Sequence, residues 1–527
     1  MKGVLVVFVA ALLAAPSALA ARAAEPRPQA PGLLSIGAYN HALVQLSGGT
    51  LAAEGGTLVS RRLGIWRLPT RTAERMLPRL LDAGVVRAVE PDQPARPLRA
   101  TQTDPLIGLE WWRSAVGADS TPPPGPGQPI TIIDAGLDVT HEEFAARPNT
   151  FLLTRQSLTD TPEEFHGTAV SSVAAAPENG VGLVGVYPQA VLREADAHQL
   201  TVSQIIAALE AALNAGPSVI NLSLGVSDRS NLLEDEILTA FRTGSIVVAA
   251  VGNERQIGSP PSYPAPYRHV LTVAATDETN RVATFSSASE ALDLSAPGVR
   301  IPVAVPLSFT STGYQFLNGT SFAAPIVTGA TAWVWTARPD LHYTQVFDLM
   351  RYSARDIAEK GFDRDTGFGL LNIPAALTQE APSSDGREPN DDIRMIKANG
   401  LFQNATDPIT RPGKTTASFR ARLDPTEDPE DVYRLYVPPA RTVRVTVTLD
   451  TDVDVDLWKP SAGTVFLRGA ARTRNLFASS RTRGKKPEKV SVRNTSNRGF
   501  YAYLDVYLPK ARAARAEYRV SVSTARR

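Results

Sequence analysis

Residues 318–334 read NGTSFAAPIVTGATAWV. After Asn318 and Gly319 the run stays small or apolar for several helical turns, with Ser321 near its start. That pattern predicts a long helix, and Ala323 and Ala324 let it bury tightly. Such a helix needs walls, and the flanking sequence supplies them. PITIID (129–134), SVINLSLG (218–225), SIVVAAVGN (245–253) and HVLTVAAT (269–276) are short, apolar, β-rich runs. They alternate with SQIIAALEAALNAG (203–216) and EDEILTAFRTG (234–244), which read as helices. Strands buried on both faces with helical crossovers imply an α/β domain around a mostly parallel central sheet, spanning 101–378.

Outward from this core the pattern changes twice. Residues 38–92 predict a small α/β unit: strands AYNHALVQL, GIWRLP and VVRAVEP, and a helix TAERMLPRLLDAG with Met76, Leu77, Leu80 and Leu81 on one side. A unit of that size is marginal alone. Pro91, Pro94 and Pro97 end it, and QPARPLRATQTDP after it reads as an exposed, cleavable linker, so 24–100 form one segment. On the other flank, 379–387 is a polar linker. From 388 to 527 the chain alternates with period two in VYRLYVP, TVRVTVTL, VDVDLWK, KVSVRN, YAYLDVYL and YRVSVS, an all-β sandwich pattern.

Whole-chain numbers exclude several classes. The 527 residues are 43% hydrophobic and 20% charged, ordinary for a folded protein. Lys plus Arg is 54 against 53 for Asp plus Glu, so no global field steers the chain to nucleic acid. Cysteine is absent, which removes disulfides, thiol nucleophiles and Cys-ligated metal. Residues 1–23 begin with Lys2, continue as the apolar run Gly3 to Ala15 and end in small residues, with cuts plausible after Ala20 or Ala23. That is the layout of a signal peptide for secretion to the periplasm or outside the cell. The competing reading, a membrane anchor, needs about 20 apolar residues. No later segment is long and apolar enough to span a membrane.

Four short stretches carry chemistry. ITIIDAGLDVTHEEF (130–144) puts Asp134 at a strand end. FHGTAVSSVAAA (165–176) opens a helix with His166. IVVAAVGNE (246–254) puts Asn253 just past a strand. The stretch quoted first brings Ser321 to a helix N-terminus. Polar residues at the carboxyl ends of parallel strands and at helix starts are where sites form in such sheets. A Ser hydroxyl is a weak nucleophile that needs a base. His166 can serve, Asp134 can orient it, and Asn253 can donate to a developing oxyanion beside the Ser321 N–H.

These stretches resemble those of the subtilisin-like serine proteases, in the same Asp, His, Ser order. GTSFAAP is the most specific of them, and VINLSLG and FSSASEALDLSAPG also match. The resemblance implies an endopeptidase with the triad Asp134, His166 and Ser321 and the oxyanion donor Asn253, needing no cofactor for catalysis. It implies protein or peptide substrates. It also implies a pocket walled by Ser223, Leu224 and Gly225 and by Ala250, Val251 and Gly252, favouring large apolar side chains. Ala135 and Ala169 depart from the commoner family residues without removing a catalytic group. PENGVGLVGV (177–186) resembles a family calcium loop, which implies structural Ca²⁺ on Asn179, on the carbonyls of Pro177, Val181 and Leu183, and on Glu143 where the family usually has Asp. The N-terminal unit resembles the family's inhibitory propeptide, which would act as an intramolecular inhibitor removed by self-cleavage; a plain extension is the alternative.

The C-terminal unit resembles the bacterial pre-peptidase C-terminal domain through EPNDD, DPEDVYRLYVPPARTVRVTV and DVDVDLWKPSAG. Its charge is split. Residues 424–456 hold nine acidic residues against three arginines, and 459–527 hold 17 basic against three acidic. Two readings stand: the lobes pair internally and are solvated, or the basic lobe contacts an acidic cell-envelope polymer. Asp450, Asp452, Asp454 and Asp456 alternate and predict one wet strand face. Two rival functions also stand. One is a non-catalytic binding protein on this scaffold. The other is the Ser-Glu-Asp carboxyl peptidase class, which places Glu at His166 and Asp at Asn253.

Overall fold

The computed structural model describes residues 40–92, 104–156, 165–509 and 515–526. The signal-peptide and processing-linker expectations fall outside those residues. The chain divides into two units, residues 1–100 and 101–527.

In the first unit four antiparallel strands lie in the order Thr57–Ser60, Ile65–Pro69, His41–Leu46, Val86–Pro91. The helix Thr70–Asp82 packs its Ala73 into a core with Val44, Leu46, Trp66, Leu68 and Val89. Met76, Leu77 and Leu80 rest against that core, while Leu81 is exposed. Strand Thr57–Ser60 was not expected. It buries no residue, so its sequence carries no apolar alternation.

The second unit holds a seven-stranded parallel sheet. The order is Leu294–Pro297, Val270–Thr276, Ile246–Ala250, Val219–Leu222, Ile130–Asp134, Leu192–Asp196, Thr150–Leu152. The four expected strands lie side by side inside the sheet, and each is buried along its whole length. Side chains alternate across the sheet. Ile130, Ile132, Val219 and Val248 join one core with the helices His166–Ala175 and Thr320–Ala337. Ile133, Ile220, Leu222 and Val247 join the opposite one with Val202–Asn214 and Asn231–Arg242. Helices therefore cover both faces, as the sequence implied. Among the described residues no helix is long and apolar enough to cross a membrane.

Beyond the helix Ile373–Thr378 come two four-stranded antiparallel sheets packed as a sandwich. One is ordered Ala417–Leu423, Ala516–Ala525, Thr442–Leu449, Glu488–Arg493; the other Glu430–Val437, Phe500–Tyr507, Asp454–Trp458, Leu476–Ser480. Within 379–387 only Asp385 is buried, while Glu388, Asn390, Asp391 and Asp392, which open the sandwich unit, are buried as well. One sequence expectation changes here. The aspartates of 450–456 do not share a wet strand face. The strand starts only at Asp454, and Asp456 is buried against Arg472 and Arg481. The neighbouring basic segment neutralises it.

Candidate active site

The sheet's carboxyl edge gathers the four stretches. Asp134 ends its strand fully buried, and its Oδ1 accepts the N–H of Ala135 at 2.8 Å. Across from it His166 opens the helix His166–Ala175. The close approach depends on Gly167: a Cβ there would lie 2.1 Å from the Gly136 carbonyl oxygen. His166 Nδ1 sits 2.9 Å and 3.0 Å from the two Asp134 carboxylate oxygens. That bond leaves the proton on Nδ1 and turns Nε2 outward as the basic atom. Burial pushes the His166 pKa down, but the Asp134 charge and hydrogen bond push it further up, and the net direction is upward.

Ser321 lies in the first turn of Thr320–Ala337, where unpaired N–H groups and the positive helix end favour an anion. Phe322, the next residue, brings its ring within 5.8 Å of the His166 ring, which puts the start of the Ser321 helix beside that imidazole. Ser321 Oγ donates a long, 3.3 Å bond to the Ser223 carbonyl. That bond goes to a main-chain carbonyl and not to the His166 ring; catalytic hydrogen bonds often tighten only when substrate binds.

Asn253 follows the strand Ile246–Ala250. Its Oδ1 accepts the Thr320 N–H at 2.9 Å and the Thr320 hydroxyl at 3.0 Å. With Oδ1 committed, Nδ2 is the group free to donate at the helix start. It lies 3.7 Å from where a Cβ on Gly319 would sit.

The six pocket residues form two adjacent strand ends, because Leu222 and Ala249 are partners in the parallel ladder. A third wall was not foreseen. Val226 bridges to Tyr263, and a Cβ on Gly225 would meet Ser262 Oγ at 1.9 Å. Ser223 does more than line this pocket. Pro325 has no N–H, so the Ser321 carbonyl four residues earlier lacks its helical donor. Ser223 Oγ supplies it at 2.8 Å. Asn221 Nδ2 in turn donates to Ser223 Oγ at 2.9 Å, and the Thr328 hydroxyl donates to Asn221 Oδ1 at 3.0 Å. The only sequence signal for this chain is a proline five residues into a helix.

The expected calcium loop follows the His166 helix. Its Asn179 Oδ1 accepts the Val181 N–H at 2.9 Å. Glu143 Oε1 accepts the Leu183 N–H at 2.6 Å and the Tyr314 hydroxyl at 3.1 Å. Asp104, unnoticed in the sequence, takes the N–H groups of Asn179, Gly180 and Val181 on Oδ1 at 3.1–3.2 Å. Glu143 Oε2 and Asp104 Oδ2 remain buried without a hydrogen-bond partner. Burial pushes the Glu143 carboxyl up to about 8. Two carboxyl oxygens without partners beside the loop suit a hard cation.

A second donor group lies where the linker enters the sandwich. Asp385, Glu388, Asp428 and Asp431 each bring one oxygen within 4.8 Å of the others. Ca²⁺ takes oxygens at 2.3–2.6 Å, so its ligands lie no more than about 5 Å apart. Glu388 Oε1, Asn390 Oδ1 and Asp428 Oδ1 are buried there without partners. Burial, and then mutual repulsion, holds the Glu388 and Asp428 carboxyls well above the ordinary range. A cavity of about 30 Å³ opens beside them.

Comparison with known proteins agrees with this fold. The subtilase family model matches residues 125–369. Subtilisin DY of Bacillus licheniformis is 34% identical over 253 residues, covering 47% of this chain and 89% of that protein. The chain belongs to the subtilase family. Subtilisin Savinase of Lederbergia lenta is 35% identical over 256 residues, covering 48% of this subtilase and 91% of the relative. Subtilisin E of Bacillus subtilis is 34% identical over 253 residues, but this subtilase spans only 65% of its length. The matched span ends before the β-sandwich.

Proposed function

We propose that this subtilase is a serine endopeptidase, exported and made as a self-processing zymogen. One observation carries the reading: a carboxylate-bonded imidazole packs against the start of the buried helix that carries Ser321, and an asparagine amide is bonded to the same helix start. Ser321 Oγ attacks the scissile carbonyl carbon while His166 Nε2 takes its proton. The oxyanion is held by Asn253 Nδ2 and the Ser321 N–H. His166 then gives that proton to the leaving nitrogen as the C–N bond breaks. Water repeats the sequence on the ester, with its proton passing to His166, and frees Ser321. Asp134 stabilises each transient imidazolium. The apolar walls at Ser223–Gly225 and Ala250–Gly252 favour large uncharged side chains before the cut. Labelling with a serine-directed phosphonate, followed by mass mapping, should tag Ser321. A tag elsewhere, or undiminished proteolysis by a homogeneous Ser321→Ala sample, would overturn the assignment.

The signal-like residues 1–23 support secretion, and the compact N-terminal unit supports a propeptide acting as inhibitor and folding aid. N-terminal sequencing of the mature secreted chain tests both. Calcium has a structural part only, with Asp104 and Glu143 holding it at the loop. The pairing of Asp456 with Arg472 and Arg481 favours internal neutralisation of the sandwich over adhesion to an acidic envelope. Salt-independent retention on cell envelopes would argue against an electrostatic contact.

A further inference from the structure

We propose that Phe309 and Phe165 form an apolar bed for the residue just after the scissile bond, so that this enzyme prefers peptides with a large apolar side chain on the leaving half. The proposal rests on the peptidase reading above and deepens it.

The strands Ile301–Ala304 and Tyr314–Leu317 form a hairpin that runs directly into Asn318 and Ser321. Its tip is fixed. Val305 N–H donates to the Gly313 carbonyl at 2.8 Å, and Phe309 N–H to Pro306 at 2.9 Å. The buried His141 ring lies 2.9 Å from the same Gly313 carbonyl through Nε2, which ties the tip to the segment after Asp134. On this rigid tip two large apolar residues face solvent: Leu307 is 67% exposed and Phe309 41%. The Phe309 ring rests at 4.3 Å on Phe165, the residue immediately before His166.

Two arguments place the leaving half of the substrate here. The acyl half has its walls already, at the ends of strands Val219–Leu222 and Ile246–Ala250. The leaving nitrogen receives its proton from His166, so the departing chain must pass that imidazole. Phe165 directly precedes His166 in the chain, and the exposed Phe309 ring lies on Phe165, so this pair offers apolar surface on that side of the imidazole. Exposed aromatic surface held rigid beside a reaction centre is poised to bury substrate surface. Pre-ordering the tip also spares the ordering cost of binding.

The test uses two internally quenched peptides, identical except for Phe or Ser directly after the cut, and an anilide substrate with nothing after it. The wild-type enzyme should favour the Phe peptide in kcat/KM by roughly tenfold or more, the discrimination apolar pockets deliver. Phe309→Ser should collapse that ratio toward one. Both peptides are read on one preparation, so a partly misfolded sample cancels from the ratio; Leu307→Ser provides a second reading with a smaller drop. A wild-type ratio near one, or a ratio unchanged in Phe309→Ser, overturns the proposal. A wild-type protein that cleaves neither peptide nor anilide overturns the peptidase reading, and this inference with it.

Discussion

His166 feels two opposed influences. Burial disfavours its cation, and Asp134, 2.9 Å away, favours it more strongly. The raised pKa stabilises the protonated folded state. That stabilisation is complete below the unfolded imidazole value, near 6.5, and is lost as pH rises through the folded value. Catalysis needs the neutral ring, so the rate should rise with pH along a limb lying above the ordinary imidazole value. Asp134→Asn removes the charge that raises it. The limb should move to lower pH, and kcat should fall about 10⁴-fold, as in triad enzymes generally. A pH–rate profile of both proteins checks this; an acidic optimum would point to the carboxyl peptidase class instead. Asn253→Ala should lower kcat about 10²–10³-fold with little change in KM, because the amide acts on the oxyanion and not on the ground-state carbonyl. The local strings that carry these four proposed residues were legible in the sequence. The orientation of the Asn253 amide was not. It depends on Thr320, 67 positions away.

At the scale of elements, the central strands were readable because burial on both faces leaves an unbroken apolar run. Strand Leu192–Asp196, LREAD, was hidden by its charges. Its Glu194 is fully buried and accepts a hydrogen bond from Ser171 of the His166 helix. Sequence cannot show that such a residue is satisfied. The Ser321 helix carries a similar hidden device in Pro325 and Ser223. Removing the Ser223 hydroxyl leaves a buried carbonyl unpaired, so Ser223→Ala should cost about 1–3 kcal/mol in denaturant unfolding. The cause is testable by a double-mutant cycle. Pro325→Ala restores an N–H at the position that bonds the Ser321 carbonyl, so in that background Ser223→Ala should cost clearly less. Equal costs in both backgrounds would break the link between the proline and the serine.

At the scale of the molecule, the catalytic domain and the sandwich are joined by buried charge. Arg351, with no side-chain exposure, reaches Asp293 at 2.7 Å, Asp348 at 3.2 Å and Asp424 of the sandwich at 3.1 Å. Arg422 meets Asp348, and His269 Nε2 lies 2.9 Å from Asp391. None of this was legible: His269 and Arg351 have no motif around them, and their partners Asp391 and Asp424 lie 122 and 73 residues on. Arg351→Met strands several buried carboxylates at once. Breaking such a pair costs about 3–5 kcal/mol, so the whole second unit should lose stability together, seen as one lowered transition by two spectroscopic probes.

The acidic residues at that junction set a further condition on stability. Asp385, Glu388, Asp428 and Asp431 repel one another in a buried place. Protons or a dication must balance them at neutral pH. A dication bound only by the folded protein stabilises it by about 2.7 kcal/mol at 100 times its dissociation constant. Millimolar Ca²⁺ should therefore raise Tm, and excess chelator should lower it. The two donor groups are separable by mutation. Glu143→Gln removes the charge at the loop and leaves the junction whole, and Asp428→Asn does the reverse. If both groups hold an ion, each variant keeps part of the Ca²⁺-dependent shift in Tm and the double variant keeps none. A chelator-insensitive Tm in the unmutated protein would mean that protons satisfy these carboxyls. Stability should then fall as pH rises through their elevated values, since a raised carboxyl pKa favours the folded state only while the proton remains bound.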